Sequence, residues 1–226
     1  MKNYTIIIPV FNEEPSIPDL LDKLKIYIKN GNEIIIIDDG STDNSVNLLK
    51  KNKDFILIQI KKNRGKGYAI RKGLMQAVNK KIIIFDGDLE IDTNEIKKLM
   101  ILDKNNDVFS TIGYRFEKII PFRSAFELGN FLFTNFYNFL YKTQYKDVLC
   151  CAKSFYIDLI KISELKSNSF DIDVELFYFL SEAKSSIKPK QIKIQYKRRN
   201  IDEGKKLKIS DGWTILSRIL KLKKKL

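Results

Sequence analysis

The sequence predicts an α/β protein with a mostly parallel central sheet flanked by helices, and three observations support this. Short apolar runs alternate with segments whose apolar residues recur at helical spacing, from residue 4 through residue 112. The runs contain no glycine and no internal proline, and carboxylates follow two of them where each run ends. Such alternation is typical of parallel strands joined by right-handed helical crossovers. Ligands of open α/β sheets bind at the edge where these strands end.

The first two strand and helix units begin at the N-terminus. Residues 4–9 are predicted to form a buried strand, and a helix follows through about residue 29. Its apolar residues recur at helical spacing: Ile17, Leu20, Leu21, Leu24 and Ile28. Residues 33–37 form the second strand, which ends in Asp38 and Asp39 and is followed by a short helix.

The next two units lead to a pair of carboxylates. Residues 55–60 form a third strand, and the segment 63–67 opens a helix that runs to about residue 79. The fourth strand, 82–85, ends in Asp86-Gly87-Asp88. Two carboxylates this close repel each other, and a hard divalent cation that fills its other positions with water and phosphate oxygens relieves the repulsion. Gly87 is expected to let a ligand approach the backbone. The alternative is a solvated acidic turn.

The second half is predicted to contain helices at 92–103, 121–141, 174–180 and 213–226 and strands at 108–112 and 191–196. The helix 121–141 is rich in aromatic residues, so it suits the headgroup region of a bilayer, a core position or a dimer face. The helix 213–226 has many lysines opposite an apolar side, which suits an anionic lipid surface. That apolar side consists of Trp213, Leu216, Ile219, Leu220 and Leu222.

Composition excludes several kinds of chemistry. The chain has 226 residues, with 41 Lys and Arg against 28 Asp and Glu, for a formal charge of +13. This charge favours an anionic partner such as nucleic acid, nucleotide phosphates or an acidic membrane surface. Histidine is absent from the sequence, so a histidine base, a Ser-His-Asp triad and histidine-ligated zinc are excluded. The adjacent Cys150 and Cys151 are too few for a disulfide framework and fit a reducing compartment.

The sequence predicts neither a signal peptide nor a membrane-spanning segment. Residues 1–11 have the pattern of a strand rather than a signal peptide. No segment has the roughly 18 uninterrupted apolar residues that a membrane span requires.

Four motifs follow one another in the first half. They are Ile8-Pro9-Val10-Phe11-Asn12-Glu13-Glu14, Ile37-Asp38-Asp39-Gly40-Ser41-Thr42-Asp43, Asn63-Arg64-Gly65-Lys66-Gly67 and Phe85-Asp86-Gly87-Asp88. The sequence has no G-x-G-x-x-G and no Walker lysine loop, so it indicates neither a dinucleotide oxidoreductase nor a P-loop NTPase. Over residues 4–112 the ordered set resembles the inverting family 2 glycosyltransferases, which have a GT-A fold.

The resemblance implies that residues 1–112 bind a nucleotide-diphosphate sugar. It places Asp39 near the base and makes Asp86 and Asp88 the D-x-D pair that holds Mg²⁺ or Mn²⁺ on the diphosphate. As charge-assisted donors, Arg64 and Lys66 are expected to meet phosphate. The other donor-side residues expected to contact the substrate are Pro9, Phe11, Glu13, Asp38 and Gly87.

Later segments resemble the branch of this family that makes polyprenyl-phosphate sugars, the dolichyl-phosphate glucose and mannose synthases. The matching residues lie in patterns similar to D-x-x-C-G-x-K and F-D-x-E-L, and they are Asp147, Lys153, Asp173 and Glu175. Cys151 and Ala152 depart from the first pattern. A basic segment at 197–207 resembles an R-x-x-G-x-S-K segment, in which Arg199 and Lys206 are expected to grip phosphate. Residues 113–208 are therefore expected to bind the acceptor, and 209–226 to form a helix that faces the membrane.

The same carboxylates define a mechanism. Asp88 is expected to act in catalysis by sharing the metal with the donor, while the acceptor attacks from the opposite face with inversion. A lipid monophosphate is largely dianionic at neutral pH and needs no strong base. A hydroxyl acceptor needs a base, and Asp173 or Asp171 is the candidate. Either residue can instead cap the helix that follows it.

The predicted function is metal-dependent transfer of a hexose to a polyprenyl phosphate by a cytoplasmic protein held at the inner face of the membrane. One alternative is a family 2 glycosyltransferase that uses a hydroxyl acceptor on a surface glycan. Another is a nucleic-acid-binding domain, which the acidic strand ends and the lack of a recognition motif oppose. The helix 121–141 leaves a homodimer as an alternative to membrane contact.

Overall fold

The computed structural model describes residues 3–116, 125–183, 187–199, 206, 208 and 210–223. Its strands are β1 (Tyr4–Val10), β2 (Glu33–Asp38), β3 (Ile56–Gln59), β4 (Lys81–Ile84), β5 (Ser110–Tyr114), β6 (Lys153–Tyr156) and β7 (Lys190–Lys193). Its α-helices are α1 (Ile17–Lys29), α2 (Ser45–Lys50), α3 (Lys66–Gln76), α4 (Ile96–Leu99), α5 (Ala125–Tyr141), α6 (Ile172–Glu182) and α7 (Asp211–Lys223). Strand β6 was not predicted from the sequence, whereas the other strands correspond to predicted ones.

The strands form one sheet in the order β3-β2-β1-β4-β6-β5-β7. β1 pairs in parallel with β2 and with β4, and β2 pairs in parallel with β3. Alternate residues of β1 point to opposite faces, so Ile6 and Ile8 join the core under α1 while Ile7 joins the core under α3. Burial of both faces explains why these strands are uninterrupted apolar runs in the sequence.

β6 is the reversed strand of the sheet. It lies between β4 and β5 and runs antiparallel to both, whereas β7 is parallel to β5. The predicted mostly parallel sheet flanked by helices is therefore confirmed. The reversal pairs Lys153, the first residue of β6, with Ile84, the last residue of β4. Residues from the second half thus reach the edge where the carboxylates of the first half emerge.

The structure differs from the sequence prediction around residues 92–103. A single helix is predicted there, but the chain forms a 3₁₀ turn at Thr93–Glu95 followed by α4, which ends at Leu99. Asp103 is extended and bridges Val108. It leaves the helix because its side chain accepts a hydrogen bond from the backbone N–H of Asn105 and starts a new turn.

The C-terminal helix α7 belongs to the core of the second half. Ile215, Ile219 and Leu222 are buried, and the first two pack with Tyr137 of α5 and Phe177 of α6. The prediction that Ile219 and Leu222 face lipid is wrong, because the protein core already covers them. Only part of the predicted apolar side remains available to a membrane.

Arg218 fixes α7 to the start of α6. Its Nε donates to Asp171 Oδ2 at 3.0 Å, and its Nη1 lies 3.3 Å from Glu175 Oε1. Residues 121–124 of the predicted aromatic helix and 224–226 of the predicted basic helix lie outside the described residues. None of the described helices is long and apolar enough to cross a membrane.

Candidate active site

A cleft of about 400 Å³ opens at the sheet edge where β1 and β4 end. The start of α3, the start of α6 and the segment after β7 complete its walls. Most of the residues predicted to act in the site line this cleft: Pro9, Phe11, Glu13, Asp39, Lys66, Asp86, Gly87, Asp88, Asp173, Arg199 and Lys206. The structure thus brings together residues that are more than 190 positions apart, since Lys206 Nζ donates to the carbonyl of Asn12 (|i−j| = 194).

Asp88 lies deep in the cleft, directly after β4. Burial and then the charge of Asp86 raise its pKa to about 7. Its Oδ1 accepts a hydrogen bond from the backbone N–H of Glu90 at 3.0 Å. An ionised Asp88 is therefore costly unless a cation approaches it.

Asp86 also lacks a contact that a carboxylate normally makes. In the described part of the chain its Oδ1 is buried and has no hydrogen-bond partner. No group of three or more acidic, Cys or His side chains that could hold a metal occurs among the described residues. Asp86 and Asp88 nevertheless fit a hard divalent cation that takes most of its ligands from water and phosphate oxygens, because Mg²⁺ is commonly held by one or two carboxylates.

Gly87 has a packing role that differs from the predicted one. A Cβ at this position would lie 2.9 Å from Val10 Cγ2 and 3.1 Å from Ile8 Cγ2. Glycine is therefore favoured because the loop after β4 crosses β1 closely.

Lys66 bridges the two halves of the site. It is the first residue of α3, and its Nζ lies 2.7 Å from Asp86 Oδ2 and 2.8 Å from Asp173 Oδ2. Burial lowers its pKa, but the charges of Asp173 and Asp86 outweigh burial and hold the pKa well above its usual range. The predicted contact of Lys66 with phosphate stays a prediction, and the structure shows its single charge shared between two carboxylates.

Asp173, a predicted candidate for the general base, lies in the first turn of α6. Its Oδ2 accepts from Lys66, and its Oδ1 lies 3.7 Å from Nζ of Lys153. Lys153 is fully buried, and its ammonium also donates to the carbonyl of Cys150. Asp173 thus lies beside two ammonium groups, and its Oδ1 has no hydrogen-bond partner among the described residues.

Asp171 does not have the predicted capping role. Asp171 occupies the N-cap position of α6, but its side chain makes no hydrogen bond to an amide of the helix. Its Oδ1 accepts from the N–H of Ser169, and its Oδ2 accepts from Arg218. The carboxylate therefore serves the packing of α7 rather than the helix end.

Asp39 organises the loop before α3. Its carboxylate accepts hydrogen bonds from the backbone N–H groups of Arg64 and Gly65, at 3.0 and 2.6 Å. Burial raises its pKa, and these two hydrogen bonds oppose the rise. The neighbouring Asp38 is buried outside the cleft and accepts from the N–H of Ser41.

The side chains of two other predicted residues, Arg64 and Glu175, point away from the cleft lining. The Arg64 guanidinium lies 4.0 Å from the centre of the Tyr68 ring. Glu175 is fully buried and accepts from the N–H groups of Lys166 and Ser167, in addition to its ion pair with Arg218. Glu175 therefore positions the segment that packs against the start of α3.

The basic segment after β7 folds back on the loop after β1. Arg199 Nη1 donates to Glu13 Oε2 at 2.7 Å, and its Nη2 donates to Ser16 Oγ at 2.9 Å. Burial raises the pKa of Glu13, and the hydrogen bond from Arg199 partly offsets this. Residues 200–205 and 207 of this predicted phosphate grip lie outside the described residues.

Sequence reasoning missed Arg115. This side chain lines the cleft, and its Nε and Nη2 donate to the two oxygens of the buried Asp147, at 2.8 and 3.1 Å. Asn130 of α5 donates to the same carboxylate at 2.9 Å. A usable signal was present, because Arg115 directly follows β5 at the functional edge of the sheet. Together with Arg198 and Lys208 it gives the cleft a basic side opposite its acidic floor.

Comparisons with known proteins bear on the family and the fold. A model of the family described as Glycosyl transferase family 2 matches residues 5–160. An undecaprenyl-phosphate 4-deoxy-4-formamido-L-arabinose transferase from Pectobacterium atrosepticum is 37% identical over 121 residues, or 50% of this chain and 37% of that protein. A transferase of the same name from Yersinia pestis is 36% identical over a stretch of the same length. The matched stretch therefore spans little more than a third of these relatives.

Solved structures of low sequence identity share the fold. The glucosyl-3-phosphoglycerate synthase from Mycobacterium tuberculosis, crystallised with uridine diphosphate, has a TM-score of 0.76 at 13% identity and covers 99% of this chain and 80% of its own. Its complex with Mn²⁺, uridine-diphosphate-glucose and phosphoglyceric acid also has a TM-score of 0.76, at 13% identity and with the same coverage. The predicted GT-A fold is confirmed by this likeness.

Proposed function

Because the chain belongs to glycosyl transferase family 2, we propose that it transfers a sugar from a nucleotide-diphosphate donor to a polyprenyl phosphate, with inversion and with a divalent cation. One observation carries the proposal. The half-buried Asp86 and Asp88, the lysine-paired Asp173 and the basic Arg115 all line one cleft at the edge of the sheet. The relatives named for transfer to undecaprenyl phosphate support this acceptor class.

The donor diphosphate would lie against Asp86 and Asp88. These carboxylates would hold Mg²⁺ or Mn²⁺, and the bound ion would neutralise the charge that grows on the leaving diphosphate. The neighbouring structure crystallised with Mn²⁺ and uridine-diphosphate-glucose supports this assignment. The nucleoside would rest between the end of β1, with Phe11, and the loop that Asp39 holds in place.

The state of Asp173 favours a phosphate acceptor over a hydroxyl. A hydroxyl must lose a proton to a base as it attacks, whereas Asp173 is held by Lys66 and lies beside Lys153. A phosphate monoester with a second pKa of about 6 already carries the attacking charge at neutral pH. Arg115, on the basic side of the same cleft, would attract that charge.

The outer face of α5 would contact the membrane that contains such an acceptor. Leu128, Phe131, Leu132 and Phe139 are exposed along one side of this helix. Trp213 of α7 is also exposed, with 76% of its surface accessible. Lys221 and Lys223 are exposed near the end of α7, and the ammonium of Lys223 lies 5.2 Å from the Tyr141 ring at the end of α5.

An apolar strip with lysines at its end suits an anionic leaflet, in which each lysine near the surface contributes roughly 1 kcal/mol. Phe126 in the first turn of α5 lines the cleft, so this helix begins beside the cleft. We propose that the protein lies at the cytoplasmic face of the membrane in this orientation.

The decisive assay combines the protein with a panel of nucleotide sugars and undecaprenyl phosphate, with and without Mn²⁺. The expected result is a lipid-linked sugar that forms only with the divalent cation. Transfer to glycan hydroxyls alone would instead favour the runner-up acceptor class. Salt-sensitive DNA binding without any nucleotide-sugar binding would overturn the enzyme proposal.

A further inference from the structure

Four side chains form a row of alternating charge across the floor of the cleft. Asp86 pairs with Lys66 at 2.7 Å, and Lys66 pairs with Asp173 at 2.8 Å. Asp173 in turn lies 3.7 Å from Lys153. Asp88, beside this row, has no ion pair within 4 Å among the described residues.

Lys66 lies within the floor of the cleft rather than at the protein surface. Its side chain is only 9% exposed. A Cβ on Gly65 would lie 2.3 Å from the carbonyl oxygen of Asn168, and one on Gly67 would lie 2.4 Å from that of Ser167. The backbone at the start of α3 is therefore clamped against the segment before α6, and the ammonium is directed at the carboxylates.

This ammonium and a divalent ion would share Asp86. Lys66 uses Oδ2 of Asp86, and the buried Oδ1 is the oxygen without a partner. Asp86 and Asp88 would hold the ion close to this ammonium, and two positive charges that share one carboxylate repel each other. The two cations therefore compete for the charge of the same acidic floor.

We propose that Lys66 is a resident counter-cation of the acidic floor, which keeps divalent-ion binding weak until a nucleotide diphosphate supplies further negative charge. The inference rests on the metal site of the proposed function. It implies that the ion enters with the donor rather than before it, because the diphosphate offers Lys66 an alternative partner.

The test measures binding of Mn²⁺ to the full chain by electron paramagnetic resonance, with and without uridine diphosphate. Lys66→Met should bind Mn²⁺ alone roughly tenfold or more tightly than the wild type, because one competing charge is removed. The gain in Mn²⁺ affinity that uridine diphosphate produces should shrink in the variant. Lys66→Gln, which keeps a hydrogen-bond donor for the carboxylates, should behave in the same way if Lys66→Met does not fold.

Lys72→Met is the matched control. It removes the same charge from the same helix, but its ammonium lies 5.6 Å from the Tyr68 ring, in a groove apart from the carboxylates. Its Mn²⁺ affinity should equal that of the wild type. If Lys72→Met binds Mn²⁺ as tightly as Lys66→Met does, then only the net charge of the protein matters and the proposal is overturned.

The remaining outcomes separate the two proposals. If the wild type binds Mn²⁺ with uridine diphosphate but Lys66→Met and Lys66→Gln bind Mn²⁺ alone no more tightly, the role of Lys66 is wrong and the metal site stands. If no protein binds Mn²⁺ even with uridine diphosphate, the proposed metal site itself fails.

Discussion

The two sides of the cleft use charged residues in opposite ways. On the donor side, the half-buried carboxylates that follow β4 have unmet contacts, as the raised pKa of Asp88 and the unpartnered Oδ1 of Asp86 indicate. On the acceptor side, charged motif residues are mostly paired with each other, as in Arg115 with Asp147 and Arg218 with Asp171 and Glu175.

A buried carboxylate oxygen without a hydrogen-bond partner, as in Asp86, is therefore the clearest sign of a bound cation in this cleft. Unpaired buried carboxylates cost free energy that a bound cation can recover. Paired ones stabilise the fold, and removal of one partner leaves the other charge exposed to a low-dielectric interior. Substitutions on the two sides should therefore separate activity from stability.

The largest effect is expected for Asp88→Asn. Loss of this carboxylate should lower the transfer rate by about a thousandfold, or ~4 kcal/mol of transition-state stabilisation. The unfolding midpoint should hardly fall, because Asp88 accepts one backbone hydrogen bond and its burial is unfavourable. Transfer assays and thermal melts measure the two quantities. Asp107→Asn, an exposed acid beyond the cleft, is the control with the same loss of charge.

Asp147→Asn should have the opposite profile. It removes the counter-charge of Arg115 inside the protein, and breaking a buried pair from one side costs about 3 to 5 kcal/mol in the free energy of unfolding. Urea unfolding at pH 7 measures this loss. A loss below about 1 kcal/mol would mean that the acceptor side does not depend on paired charges for stability.

The Arg115–Asp147 pair should make the free energy of unfolding depend on pH. Burial raises the pKa of Asp147, but Arg115 and the hydrogen bonds outweigh burial and hold it below the ordinary value of 3.8. A carboxyl with a lowered folded-state pKa contributes stability above the unfolded value and loses it as the pH falls through the folded value. The stability gap between wild type and Asp147→Asn should therefore be full at pH 6 and shrink below about pH 3.8. A gap that stays constant to pH 2 would contradict the pairing.

Phe139→Asp tests where the outer face of α5 binds. Phe139 is 83% exposed, so the substitution should leave the unfolding midpoint unchanged while flotation with anionic liposomes falls several-fold. Met75→Asp, at a 65% exposed apolar position on α3, is the matched control and should float like the wild type. If flotation is unchanged but a dimer dissociates in sedimentation, the face binds a second copy and the membrane contact is wrong.

The smallest effect is expected for Arg64→Met. Its guanidinium stacks on Tyr68 rather than lining the cleft, so affinity for uridine diphosphate with Mn²⁺ should change less than about threefold, as for a rim charge. Calorimetric titration measures it. A tenfold loss would show that Arg64 turns into the cleft and meets phosphate, as the sequence predicts.

The donor side was largely predictable because its geometry follows from local rules. Carboxylates that end neighbouring parallel strands must meet at one sheet edge, and the pairing of Val10 with Asp38 shows that register directly. The reason for Gly87 was not predictable, because it depends on how closely the loop after β4 crosses Val10.

On the acceptor side, the sequence identified charged residues but not the contacts that each of them makes. Lys153 and Glu175 were expected to bind substrate, yet the fold buries both and gives them internal partners. Arg115 was overlooked because its partner Asp147 is 32 positions away. No local pattern indicates which charge will pair with which.

The sequence by itself determined the alternation of strands and helices in the first half, the acidic pair after the fourth strand and the family, because periodicity and short motifs are local properties of a chain. Only the tertiary structure decided which charged groups lack a compensating partner. Lys66 and Asp173 are 107 positions apart, and the reversed strand β6 brings Lys153 beside them. Charge compensation depends on distances through space, and these are fixed only when the two halves of the sheet come together.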